Sequence, residues 1–252
     1  KYLKSRFYWN YSQVSPFDSY SFQIDNRQLN EFENAEAGLE LKYAYREKFV
    51  QTPWGKFSEG TDFPVFYLNV RKGLKNTYGQ FDYLKMEGNI DYSFVTKVLG
   101  TTRINLAGGL VEGTVPLYNL YNGHGSYAGR VSIQVDNSFA TMRLNEFYAD
   151  RFLSVFFRQN FGSLLLRTSV FDPRISLANH MGWGLLNERE NHKNVDLQTF
   201  SKGYYEAGVI IDDMISAGFL SYGLGVFYRY GPYAFDNLSS NLAYKISFRF
   251  KI

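Results

Sequence analysis

Cysteine is missing altogether from this 252-residue chain. That excludes a disulfide scaffold and any zinc site built on thiolates. No apolar run approaches the ~20 residues that a membrane-spanning helix needs, and no stretch repeats its apolar residues at the helical period. A charge excess is lacking too: 27 Lys and Arg stand against 24 Asp and Glu. The two signs are interspersed, so no nucleic-acid partner is expected. There are three histidines. No metal-ligand spacing surrounds them, so neither a metal nor another cofactor is expected. The chain opens KYLKSRFYWN, with no Met and no apolar signal core. It reads as a mature piece or as the C-terminal part of a longer precursor, and residues 1–252 read as one domain.

What the chain has in abundance is aromatic side chains and alternation. Tyr (21) and Phe (23) lift the aromatic fraction to 19% while mean hydropathy stays low. In the closing stretch, NLAYKISFRFKI, Leu242, Tyr244, Ile246, Phe248, Phe250 and Ile252 fall on one side. Ala243, Lys245, Ser247, Arg249 and Lys251 fall on the other, the period of a strand with one apolar face. The same period recurs in AEAGLELKYAYREKF, YLKMEGNIDYSF, GTTRINLAGGL, ATMRLNEFY, FLSVFFRQNF, ISLANHMGW, YYEAGVIID and LSYGLGVFYRY. Weaker strands fit around residues 2–11, 18–26, 63–72 and 163–171. Many segments run about ten residues, the length of a tilted membrane-crossing strand rather than the ~5–6 of a soluble one.

These features predict an all-β fold: a transmembrane antiparallel β-barrel of about 12–16 strands. The alternative is a Tyr-rich soluble sandwich, whose apolar faces would pack on each other through aliphatic residues. Here Tyr43, Tyr45, Tyr92, Phe94, Tyr228 and Tyr230 sit near strand ends on the apolar face. Tyrosine suits a membrane interface because its ring is apolar and its hydroxyl reaches water. Two longer connections, residues 111–137 and 187–203, read as extracellular loops or as loops folded into the lumen.

Residues 203–252 carry a resemblance. Tyr204-Tyr205-Glu206-Ala207-Gly208 is similar to the aromatic–x–acid–x–Gly motif of BamA/TamA-like barrels. A Gly-rich strand with Gly223 and Gly225, then Gly231-Pro232 and an amphipathic closing strand, follow as in that group. GTVPLYNLYNGHGS resembles the segment leading into its long inward loop. The Val-Arg-Gly-Phe tip of that loop is absent, and SYAGRV offers Arg130 in its place. The stretch 113–252 is closer still to a Bacteroidota family of uncharacterised outer-membrane proteins, with a carboxypeptidase-regulatory-like domain ahead of a C-terminal barrel. The resemblance implies a bacterial outer-membrane location, contact with outer-membrane lipid, and a non-enzymatic role in outer-membrane biogenesis or protein export. It implies protein partners in an outer-membrane complex and an upstream domain.

Glu206 is the foremost candidate residue, being charged and on the inward face with Gly208 beside it. A charge inside a barrel must be paired or wet, and Arg130, Arg143, Arg158 and Arg229 are its candidate partners. Gly223 and Gly225 on the same face would admit a loop backbone. A pinned inward loop is one reading, and an ordinary lumen ion pair the other. Two other functions stay open: a passive or gated pore for solute uptake, and a lipid hydrolase using Ser126, His124 and His180. No G-x-S-x-G order supports the last. His192, in a charged stretch, reads as solvated.

Overall fold

The computed structural model describes residues 2–16, 19–24, 27–53, 55–166, 173–218 and 220–250. Alternating residues with β-branched and aromatic side chains extend into ten long strands. They are β1 Leu3–Val14, β2 Phe32–Ala44, β3 Val65–Gly73, β4 Leu84–Thr96, β5 Gly100–Glu112, β6 Arg151–Asn160, β7 Arg174–Leu185, β8 Tyr204–Ala217, β9 Leu220–Tyr230 and β10 Leu242–Phe250. At ~3.3 Å per residue they are about 30–45 Å long. Each pairs antiparallel with the next in chain order. Val131–Ile133 adds a short eleventh strand, parallel to β10.

The fold is all-β, and the sheet is open. Among the described residues β1 pairs with β2 alone, and the far edge of β10 carries Val131–Ile133. Of the expected barrel of about 12–16 strands, the described residues show the all-β part: one sheet of ten long strands plus this short one, with no pairing between β1 and β10. Alternation alone does not separate a wall strand from a short inner one. The stretch around 139–147 holds only the strand Phe139–Arg143, paired with Gly125–Tyr127. Of the stretch around 18–26, the described residues hold the strand Ser21–Ile24, in a small sheet with Arg27–Leu29 and His192–Lys193. Of the proposed strand at 163–171, residues 167–171 lie outside the described residues, and 163–166 form no strand.

Register aligns the apolar residues into a continuous outer face. Phe7 pairs with Leu39, Leu41 with Leu68, Ile90 with Leu106, Leu177 with Val209, and Val226 with Tyr244. These side chains are not covered: Phe7 is 75% exposed, Leu153 51% and Leu224 52%. The inner face carries the polar residues. Glu36, Lys85, Asn105, His180, Glu206, Arg229 and Lys245 are all buried there.

The hydrophobic core lies against the inner face rather than between two sheets. Connections at the end where β1 finishes and β10 begins fold back onto it. They contribute Tyr20, Phe22, Phe81, Leu120, Tyr121, Phe139, Met142, Phe147 and Phe200 to one buried cluster with Phe152 and Phe156 of β6. The two long connections are thus folded inward in large part. Glycines on the inner face make room for them. A Cβ on Gly184 would sit 2.4 Å from the Phe200 ring, and one on Gly182 2.7 Å from Phe139. At the opposite end the inner face is open and charged, a cavity of about 560 Å³ lined by Arg103, Arg158, Arg174, Arg249, Asp136 and Asp212.

Gly184→Val should therefore dislodge Phe200 and loosen the inner core by about 1–3 kcal/mol. Chemical denaturation of the purified protein would read the loss. The same change at Gly88, where an added Cβ meets nothing nearer than 3.9 Å, should cost much less.

Candidate functional site: a buried carboxylate clamp

β8 begins inside the core, so its alternation sends Tyr204 and Glu206 inward and Tyr205 outward. Pairing with β7 places His180 directly opposite Glu206, and pairing with β9 places Arg229 opposite it on the other side. Glu206 is completely buried. An ionised carboxylate offers about four acceptor sites. Oε1 accepts from the Ala140 backbone N–H at 2.7 Å and lies 2.8 Å from His180 Nδ1. Oε2 accepts from the Thr141 backbone N–H at 2.8 Å and from Thr141 Oγ1 at 2.7 Å. The Thr141 hydroxyl spends its single proton on Glu206, so the Tyr204 hydroxyl, 2.7 Å away, donates to it. Phe139, Phe156 and Phe227 surround the His180 ring. Charge-assisted bonds in so dry a site are the strong kind. Three of the four donors to Glu206 belong to residues 140–141 of the long inward connection. Glu206 clamps that connection to the wall.

None of the four proposed arginines pairs with Glu206. Arg229 is the nearest in register, but its guanidinium turns away to Glu146 Oε1 at 2.8 Å and lies over the Tyr204 and Phe235 rings. Arg158 pairs with Asp212, at the charged end. Arg143 lies over Phe235. Arg130 meets the wall through its backbone carbonyl, which accepts from the Tyr244 N–H. The correction has a physical reason. Backbone amides and a histidine already saturate the carboxylate, and Arg229 reaches a second carboxylate on the same connection. The glycines also differ from the expectation of a close loop backbone. A Cβ at Gly208 would strike the Phe227 ring at 2.4 Å, and one at Gly223 would strike Ser247 Oγ at 2.4 Å. Gly225 faces Phe227 and Lys245. These positions accommodate neighbouring strands' side chains.

The three hydrolase candidates do not meet. Ser126 Oγ donates to the Phe139 carbonyl, His124 packs edge-on against Phe152, and His180 serves Glu206. His192 is buried rather than solvated. Its Nδ1 lies 2.9 Å from the Tyr20 hydroxyl, which accepts the Leu117 backbone N–H at 3.0 Å. The hydroxyl keeps its own proton free to donate to Nδ1 when that nitrogen is unprotonated. Burial holds the His192 ring down at about 4 and pushes the Tyr20 hydroxyl up to about 12. One tyrosine thus ties together three connections.

Sequence reasoning missed Thr141, Glu146, Lys245 and the Tyr20–His192 bond. It placed His180 on the polar face but not beside Glu206, because that neighbour is set by β7–β8 register across an 18-residue connection, 186–203.

Glu206→Ala should cost about 3–5 kcal/mol, since it leaves buried donors without an acceptor. Protection of residues 139–146 in hydrogen exchange should fall with it. Thr141→Val should cost about 1–3 kcal/mol, leaving the Tyr204 hydroxyl without its acceptor. Acid should loosen the Tyr20–His192 junction. An unfolded histidine titrates near 6.5 and this one near 4. The folded state therefore keeps its full advantage above about 6.5 and loses it as pH falls through the folded value. His192→Phe, which keeps a buried ring that cannot titrate, should flatten that pH dependence in thermal unfolding.

No curated protein matches the chain. A family model described as the C-terminal domain of a family of unknown function (DUF5686) matches residues 4–168. The match takes in β1 to β6 and the whole inward connection, and stops short of the Glu206 strand. It covers more than half of the sequence, and the chain therefore belongs to the DUF5686 C-terminal domain family.

Proposed function

We propose that this sheet is wall material of an outer-membrane β-barrel in a Gram-negative bacterium. In this reading it acts without catalysis, through protein partners, in outer-membrane biogenesis or protein export, as BamA-like barrels do. One observation carries the membrane part: the sheet is inside-out. Its solvent-facing side is a band of Leu, Val, Phe, Tyr and Trp, and its covered side holds the charges. Water does not tolerate an apolar face spread over ten strands, whereas lipid requires one. Strands of about 30–45 Å, tilted as barrel strands are, suit a hydrocarbon core of ~30 Å. The end that carries the turn 97–99, with the longer connections 45–64 and 161–173, would face the periplasm, and the end whose connections fold onto the inner face would face outward.

The partner-driven part rests on the inward connections. They pack as a buried core clamped at Glu206, an arrangement that suits a plugged barrel better than an open pore. The resemblance of the chain's last 50 residues to BamA-like barrels supports the same direction, and that of residues 113–252 to Bacteroidota outer-membrane proteins supports a Bacteroidota source.

Three measurements test the proposal on the full-length protein. It should fractionate with outer membranes and need detergent to stay dispersed. Leu224→Arg should lower stability in lipid by about 2–4 kcal/mol if that position lies near the bilayer midplane. Planar bilayers should show no steady conductance from the wild type. A folded, dispersed protein in plain buffer would overturn the membrane reading, and a steady open pore would favour solute uptake instead.

A further inference from the structure

The cavity at the charged end is built asymmetrically. β8 breaks its alternation between Ile211 and Ile215, where its pairing with β9 shifts register. Asp213 there takes a left-handed backbone, φ 58°, which few residues besides glycine adopt readily. A bulge of this kind re-aims a side chain. It brings Asp213 to the inner side next to Asp212, where regular alternation would have sent it outward. The Ser221 hydroxyl donates to Asp213 and the Ser247 hydroxyl to Asp212.

Three arginines from three other strands come to this pair of carboxylates. Arg158 of β6 donates to Asp212. Arg174 of β7 and Arg249 of β10 lie 3.2 Å and 3.1 Å from one and the same atom, Asp213 Oδ2. Sharing that oxygen brings two like charges together, and three guanidiniums meet two carboxylates. The other charged groups here, Arg103, Asp91 and Asp136, are bonded to one another. Burial orders the two signs. The side chains of Asp212 and Asp213 are 9% and 7% exposed, those of Arg158, Arg174 and Arg249 25%, 52% and 38%. The acids thus form a back wall, and the guanidiniums form the surface presented to the cavity of about 560 Å³. A guanidinium carries five N–H donors. Each of these three meets its aspartate through a single nitrogen, which leaves most of its fork for the cavity.

We infer that this cavity binds a phosphate group, held by Arg158, Arg174 and Arg249. One planar fork satisfies a carboxylate, whereas forks from three strands suit the several oxygens of a tetrahedral anion. Such an anion neutralises the positive surplus that the two aspartates leave. The space exceeds a bare phosphate ion, so the organic part of a phosphate ester fits as well. This geometry is independent of whether the outer face meets lipid.

The test uses the full-length protein in an uncharged detergent, with inorganic phosphate and a short-chain phosphatidic acid as probes. Calorimetry should show phosphate binding at one site and acetate binding at least about tenfold more weakly. Arg174→Gln and Arg249→Gln should each weaken phosphate about tenfold, because each removes charge-assisted bonds. Lys202→Gln, which removes the same charge at the capped end, should leave binding unchanged. Phosphate should also shield Arg174 and Arg249 of the wild type from phenylglyoxal, a reading that needs no variant. Phosphatidic acid competing with phosphate would mark an ester as the occupant, and phosphate binding alone would mark the free ion; both support the site. Binding of neither probe would overturn the inference. So would binding that both arginine substitutions leave intact, or variants that lose stability while phosphate does not stabilise the wild type, which is how plain ion pairs behave. Failure of detergent dependence would overturn the membrane reading and leave this assay intact.

Discussion

A carboxylate removed from water must be given donors for its lone pairs, or it does not stay ionised and buried. Glu206 meets that demand with two backbone amides, a threonine hydroxyl and a histidine. The amides belong to a segment that is otherwise held by aromatic packing, which is non-directional. The carboxylate therefore does what packing alone does not. It fixes the register of residues 139–141 against β7 and β8, and thereby the seats of Phe139, Met142 and Phe147 in the core. Arg229 adds a second directional bond to the same segment through Glu146. Both charged residues pair with carboxylate or donors carried by the connection, so the wall and its insert each lack their partners without the other.

The molecule has two separate apolar regions with opposite fates. The inner one is closed by the chain's own connections, and slots left by Gly182 and Gly184 let aromatic rings come down to the backbone. The outer one has no covering element among the described residues. Aromatic pairs such as Tyr205 with Tyr230 and Tyr92 with Phe94 stack along it. This separation explains why so low a mean hydropathy coexists with so much exposed apolar surface. The polar residues that lower the average are the ones buried inside.

Much of the wall was legible in the sequence, because a period of two assigns every side chain to a face once a strand is recognised. Leu224 and Gly225, or Ile246 and Lys245, took the sides that alternation gave them. The connections were not legible, for a physical reason. Their conformation is set by contacts between residues far apart in sequence, such as Glu206 with Ala140, Tyr20 with His192 and Lys245 with Ser126. A histidine in a charged stretch reads as solvated until the tyrosine 172 positions earlier is seen to cover it. Likewise Arg229 was an evident charge on the inward face, but its choice of Glu146 over Glu206 depends on which acceptors the inserted segment has already filled. Strand number was overestimated because a short inner strand such as Phe139–Arg143 alternates just as a wall strand does.

The two ends of the sheet differ in what they can exchange with their surroundings. At the capped end, Tyr20 bonds residues 117 and 192, Lys85 donates to the carbonyls of Asn119 and Leu120, and Glu206 holds residue 141. Loosening one connection therefore removes partners from the others, and the cap should open cooperatively or not at all. At the other end the arginines and aspartates pair among themselves: Arg103 with Asp91 and Asp136, Arg158 with Asp212, and Arg249 with Asp213. Such part-exposed pairs are individually weak and readily rearranged. Val131–Ile133 on β10 lies between these regimes, tied to the inner face by Lys245 through Ser132 yet open to solvent on its outer side.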